Sequence, residues 1–205
     1  MTEKSSKLVA AVELLYVLVK CSLHFWGWLV TGGLIYGWVN SQKKLVLCVD
    51  HPEALQEKLW RLTEKLPATK LWEKVLSVGI FLALALFLAG AWLGSTSLGL
   101  LFKVIGGLSL LLFLLYSAHW VLGIVADDES KGAPVAIGYQ LLLQTLRPSL
   151  LNGFILGTYA FWLLLLPVSP LLFFLVAPGG VAYLLKKGAQ KYREMEGKTH
   201  DSCQS

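Results

Sequence analysis

The sequence predicts an all-α integral membrane protein, a bundle of about five transmembrane helices with amphipathic interfacial helices. Three observations predict it. Apolar residues make up 56% of the chain, above the roughly 45–50% of an ordinary soluble domain. The mean hydropathy is +0.63, and the excess is gathered in runs. The third is the stretch 75–125, which reads VLSVGIFLALALFLAGAWL, then GSTS, then LGLLFKVIGGLSLLLFLLYSAHWVLGIV. The first run carries no charge, and the second carries only Lys103 and His119. Backbone in hydrocarbon must satisfy its own hydrogen bonds, so these runs are an antiparallel pair of crossing helices, 75–93 and 98–125.

The first apolar zone runs from Leu8 to Val39, too long for one straight crossing of ~17–25 residues. It holds Glu13, Lys20 and His24, and a Gly-rich second half at Gly27, Gly32, Gly33 and Gly37. In the layout we prefer, residues 8–18 lie on the surface as an amphipathic helix and 19–39 cross. In the other, residues 8–30 cross and Gly32-Gly33 starts a short return segment. Lys4 and Lys7 favour a cytoplasmic N-terminus, which only the second layout gives.

A polar section follows. Asp50, Pro52 and Glu53 form a helix start, with a capping acid, a proline in the first turn and an acid at the positive dipole end. Leu55, Leu59, Leu62 and Leu66 continue at helical spacing until Pro67. The predicted helix 52–66 carries Lys58, Arg61 and Lys65 on its other face, a pattern suited to lipid headgroups or a partner. Beyond the 75–125 pair, Asp127, Asp128, Glu129 and Lys131 mark a polar turn, and Pro134 to Arg147 reads as another amphipathic helix. Spans at 150–166 and 171–185 form a second hairpin around Pro167 and Pro170, with the last span interrupted at Pro178-Gly179-Gly180. Residues 186–205 make a hydrophilic tail. The whole chain is expected to be a single membrane domain.

Basic residues orient the spans. Lys43, Lys44, Lys58, Arg61, Lys65, Lys70 and Lys74 cluster before the first hairpin, and Lys186, Lys187, Lys191, Arg193 and Lys198 lie in the tail. The turns 94–97 and 167–170 carry none. The expectation is a multi-pass protein of the cell membrane with a cytoplasmic C-terminus. The net charge of +5 belongs with lipid headgroups rather than nucleic acid, because the cations flank apolar spans.

Glu13, Lys20 and His24 are spaced to share one helical face, a polar stripe suited to a proton relay or to a snorkelling surface helix. His119 and Asn152 are candidate buried polar groups that hydrogen-bond between helices. Cys21, Cys48 and Cys203 have no metal-ligand spacing, and no nucleophile, phosphate-loop, dinucleotide or zinc-protease motif appears. No enzyme activity, metal or cofactor is therefore expected. Gly33/Gly37, Gly90/Gly94 and Gly153/Gly157 match the close-packing spacing of membrane helices.

Several stretches resemble the YesL family of small bacterial membrane proteins. Residues 21–26 (CSLHFW) and 33–37 (GLIYG) are similar to its first helix and Gly-rich exit, with 39–43 (VNSQK) where the family has a Pro-Ala-Thr-like turn. Ala136 to Arg147 followed by 148–151 (PSLL), and 177–184 (APGGVAYL), are similar to its amphipathic helix and close. The resemblance implies about five membrane helices, a setting beside bacterial sugar-uptake ABC transporters, and no catalytic residues. The functional expectation is a non-enzymatic accessory or regulatory partner of a carbohydrate ABC transporter. The alternative is a small homo-oligomeric transporter or channel using the Glu13/Lys20/His24 stripe.

Overall fold

The computed structural model describes residues 2–50, 71–126 and 134–202. The expected helix 52–66 with Lys58, Arg61 and Lys65, and the acids Asp127 and Asp128, lie outside the described residues. The described elements are all α-helices: α1 Thr2–Thr31, α2 Trp38–Asp50, α3 Leu71–Trp92, α4 Ser97–Ala126, α5 Pro134–Leu146, α6 Leu150–Val168 and α7 Pro170–Ser202. Five are long and apolar enough to cross a bilayer, over Leu8–Thr31, Leu71–Trp92, Ser97–Gly123, Leu150–Val168 and Pro170–Tyr192. Over an apolar eighteen-residue stretch of each span, no more than 33% of the residues are buried inside the bundle. The remaining surface is largely Leu, Val and Phe, which is the surface that lipid covers.

The first apolar zone departs from the preferred layout. Residues 8–18 are not a separate surface helix, and 19–39 is not one span. Helix α1 runs unbroken to Thr31, because no Gly or Pro interrupts it before Gly27. It ends at Gly32 and Gly33, where Gly33 takes φ +73°, a backbone setting that favours glycine. The amides of Tyr36 and Gly37 both donate to the Gly33 carbonyl at 2.8 Å, closing a tight turn. Helix α2 then returns alongside α1. Its thirteen residues cover roughly 20 Å, short of the ~30 Å hydrocarbon core. Its first turn is capped from outside itself: the Val39 amide donates to Ser77 Oγ of α3 at 3.2 Å.

Helices α3 and α4 form the predicted hairpin, though α3 begins at Leu71 and so draws in Glu73 and Lys74. Glycine sets their separation. A Cβ on Gly90 would stand 2.6 Å from the Lys103 amide nitrogen, and one on Gly106 would stand 2.5 Å from that of Phe87. The turn uses Gly94 at φ +68°, and Thr96 Oγ1 caps α4 by accepting from the Gly99 amide at 3.0 Å. Lys103, the one cation of this run, reaches back to donate to the Gly94 carbonyl at 2.8 Å. It thus places its charge at the polar end of the hairpin.

The last span is also longer than expected. Pro178-Gly179-Gly180 does not break it, and α7 continues through the expected tail to Ser202. A proline inside a helix leaves the carbonyl four residues earlier without its amide. Here that carbonyl, of Phe174, accepts from Trp26 Nε1 of α1 at 2.8 Å. The Gly179 amide donates to Ser22 Oγ, also on α1, at 2.9 Å. Gly179 lies so close to α1 that a Cβ would stand 2.5 Å from the Leu18 carbonyl oxygen. Helix α1 therefore repairs the proline site, and the two helices run antiparallel. This puts the N-terminus on the same side of the bundle as the C-terminal end of α7. Ser149 and Ser169 cap α6 and α7, accepting from the amides of Asn152 at 3.2 Å and Leu172 at 3.3 Å, with Pro170 in the first helical position of α7.

Candidate functional site

Two adjoining regions inside the bundle carry its chemistry. The first is a layer of paired polar groups. Val39, Lys43 and Val46 follow at steps of four and three along α2, which places Lys43 in the apolar stripe that packs inward. Glu73, Leu76, Ile80 and Ala83 do the same for α3. The two stripes meet, and Lys43 Nζ donates to Glu73 Oε1 at 2.8 Å, each side chain only 1% exposed. Trp120 Nε1 of α4 approaches the same oxygen at 3.4 Å. Trp120 is itself buried. Trp72 and Trp92, by contrast, are exposed at the two ends of α3, where aromatic belts lie.

The same layer holds a second knot. Asn152 Nδ2 lies 3.0, 3.0 and 2.8 Å from the carbonyls of Gln144, Thr145 and Arg147, which share its two N–H groups. These are acceptors left open where α5 ends. With its amide nitrogen so engaged, Asn152 presents Oδ1 to His119 Nε2 at 2.6 Å. That nitrogen must then carry the proton, because an amide oxygen only accepts. One buried side chain so ties α4, α5 and α6 together. Ser77 adds a link, its Oγ donating to the Glu73 carbonyl at 2.8 Å while capping α2.

The second region is a cavity of about 220 Å³ enclosed by α1, α2, α3, α4, α6 and α7. Its wall is Leu, Val, Ile, Ala and aromatic side chains, with Gln42 and Tyr159 the polar exceptions. These two satisfy each other across α2 and α6, Gln42 Nε2 donating to the Tyr159 hydroxyl at 3.2 Å. Leu84 of α3 and Leu163 of α6 line the cavity and are also exposed on the bundle surface, so it opens sideways between the two hairpins. Three tryptophans stand in the wall. Trp26 is paired with the Phe174 carbonyl, as above. Trp38 Nε1 and Trp162 Nε1 are buried with no acceptor among the described residues. Such an orphan donor costs about 1–3 kcal/mol.

The stripe on α1 does not contribute to either region. Glu13 is exposed on the outside of the bundle. Lys20 holds its ammonium 5.8 Å from the Tyr16 ring centroid. His24 Nδ1 donates to the Lys20 carbonyl at 2.8 Å within the same helix. The structure thus brings His119 and Asn152 together and leaves Glu13, Lys20 and His24 along a half-exposed face. Among the cysteines, Cys48 of α2 is buried, and burial, helped by nearby Cys21, pushes its thiol up to about 12. A thiol held protonated this way packs as a small apolar group rather than attacking as a nucleophile.

Sequence reasoning missed Lys43, Glu73, Gln42, Tyr159, Trp38 and Trp162. A signal existed for the first two: each sits at a core position of an apolar stripe, where an unpaired charge would not be tolerated. Nothing in the sequence pairs Trp38 with Trp162. Comparisons with protein-family profiles, curated protein sequences and solved structures give no match. The resemblance to the YesL family therefore rests on the stretches quoted above.

Proposed function

We propose that this chain is a non-enzymatic membrane protein that takes up an apolar ligand from the bilayer, the acyl chain of a lipid, in the cavity between its hairpins. The observation that carries this reading is the cavity itself. An apolar void of ~150 Å³ is already large enough to stay dry and to accept benzene, and this one is about 220 Å³ with a mostly apolar wall. It opens sideways at Leu84 and Leu163, where hydrocarbon rather than water would surround the bundle. The paired polar layer beside it fixes helices α2 to α6, so the cavity is held open by groups that do not need the ligand. The expected role as a partner of a carbohydrate ABC transporter rests on the YesL resemblance, and the channel alternative rests on an α1 stripe that lies outside this cavity. The stripe lines no cavity wall with Gln42 and Tyr159.

The test is native mass spectrometry of the purified protein after equilibration with phosphatidylcholine vesicles. Wild type is expected to retain one lipid under conditions that strip the surrounding annulus. Leu114→Trp and Ala118→Phe, which fill the cavity from α4, are expected to lose it while keeping the far-ultraviolet helix signal. Equal lipid retention by wild type and both variants would sink the reading.

A further inference from the structure

We infer that the seam between α1 and the turn end of α7 is the gate through which the ligand enters the cavity, with Pro178-Gly179-Gly180 as its hinge and Trp26 as its latch. This rests on the cavity reading above and goes beyond it in naming the route of entry and the residue that controls it.

Helix α7 is seated unevenly along its length. From Gly179 onward it is built into the bundle. Gly179 touches the backbone of α1 at Leu18, a Cβ on Gly180 would overlap the Trp162 ring of α6, and Ala182, Leu185 and Ala189 are buried. Toward the turn this seating is lost. No residue from 161 to 175 is buried, and Leu171, Leu172 and Phe174 are exposed. Segments with few buried apolar contacts open at lower cost than the rest of a fold. The change falls within a turn of Pro178. Proline has no amide, so the Phe174 carbonyl lacks the helical bond that would tie the first turns of α7 to the remainder. Proline and glycine steps are also where helices bend.

The loosely seated end is fastened to α1 through Trp26. Its Nε1 donates to the freed Phe174 carbonyl at 2.8 Å, and the two rings lie with centroids 5.1 Å apart. Trp26, Phe173, Ala177 and Pro178 all line the cavity, so the latch and the hinged segment are part of its wall. Releasing the bond lets segment 170–177 swing away from α1. The cavity then opens to hydrocarbon along the seam, where a chain can enter side-on. The rest of α7 stays in place. The Gly179 amide is held by Ser22 Oγ at 2.9 Å, and that hydroxyl is itself fixed by donating to the Leu18 carbonyl at 2.9 Å. The motion is a hinge closure carried by a few residues of one element.

The experiment reads amide hydrogen exchange in residues 171–177 and 181–190 by mass spectrometry, together with exchange of the retained lipid for deuterated phosphatidylcholine. Trp26→Phe keeps a ring against Phe174 but removes the donor. It is expected to speed both the 171–177 amides and lipid exchange about fivefold, the worth of one hydrogen bond, with 181–190 unchanged. Pro178→Ala returns an amide to the Phe174 carbonyl. It is expected to slow both readouts and, in the double variant, to cancel the effect of Trp26→Phe. Wild-type rates in Trp26→Phe, or a change shared equally by both segments, would overturn the inference and leave the cavity reading standing. So would faster 171–177 amides with unchanged lipid exchange, which would make the opening at Leu84 and Leu163 the route. An effect of Trp26→Phe that persists undiminished beside Pro178→Ala would overturn the hinge in the same way. Wild type that retains no lipid would overturn the cavity reading and this inference together.

Discussion

The polar layer and the cavity lie side by side in one bundle, yet they treat buried polar groups in opposite ways. In the layer every side chain has a partner: Lys43 with Glu73, His119 with Asn152, and Asn152 with the end of α5. In the cavity wall two of three indole N–H groups have none among the described residues. A low-dielectric interior penalises an unpaired polar group heavily. The layer therefore reads as the part that specifies how the helices meet. Under the proposed function, the apolar wall is the part that a ligand would fill. The contrast teaches that burial of polar atoms in a membrane bundle is not one phenomenon, and that the state of pairing separates structure from site.

The largest effect should come from splitting the ion pair. Lys43→Met leaves the Glu73 carboxylate buried without its ammonium and is expected to cost about 3–5 kcal/mol, read as a fall in the thermal unfolding midpoint in mild detergent. Adding Glu73→Gln should recover most of that loss, since no charge is then stranded. If the single variant is as stable as wild type, the polar layer does not hold the fold and the comparison breaks on that side. A middle effect is expected at Asn152. Asn152→Leu strands the α5 carbonyls and the His119 N–H together, a loss of about 2–3 kcal/mol at roughly 1 kcal/mol per hydrogen bond. Amide exchange should quicken in α5 more than in α3. Uniform exchange across both helices would show that Asn152 does not act on α5 specifically. The smallest effect sharpens the other side. Trp38→Phe removes an unpaired donor from the wall, and its cost in the absence of added lipid is expected to be about 1 kcal/mol or less, because relief of the orphan offsets lost ring contact. A cost equal to that of Asn152→Leu would mean that Trp38 has a structural partner after all.

Much of the architecture was legible. The 75–125 hairpin, the α6/α7 hairpin and the amphipathic α5 follow from apolar run length and turn residues, since a bilayer demands long helices with satisfied backbones. The glycine motifs were legible only in part. Gly90 does mark a close helix contact, while Cβ atoms on Gly153 and Gly157 would meet nothing within 4 Å. Spacing states that two helices could approach there, and cannot state whether one does. Pro178 misled for a related reason. The sequence shows a proline that should interrupt a helix, but the groups that repair it, Trp26 and Ser22, are about 150 residues away in the chain.

The sequence by itself determined that this is a helical membrane protein and where its principal hairpins turn. Those properties follow from local composition and from the physics of the solvent around it. Only the tertiary structure decided that α1 runs whole and α2 returns, that Lys43 meets Glu73 and His119 meets Asn152, and that Trp38 and Trp162 stand around one void with no acceptor among the described residues. Pairing and emptiness are relations between helices distant in the chain. They exist only once side chains from six helices have been brought around the same space.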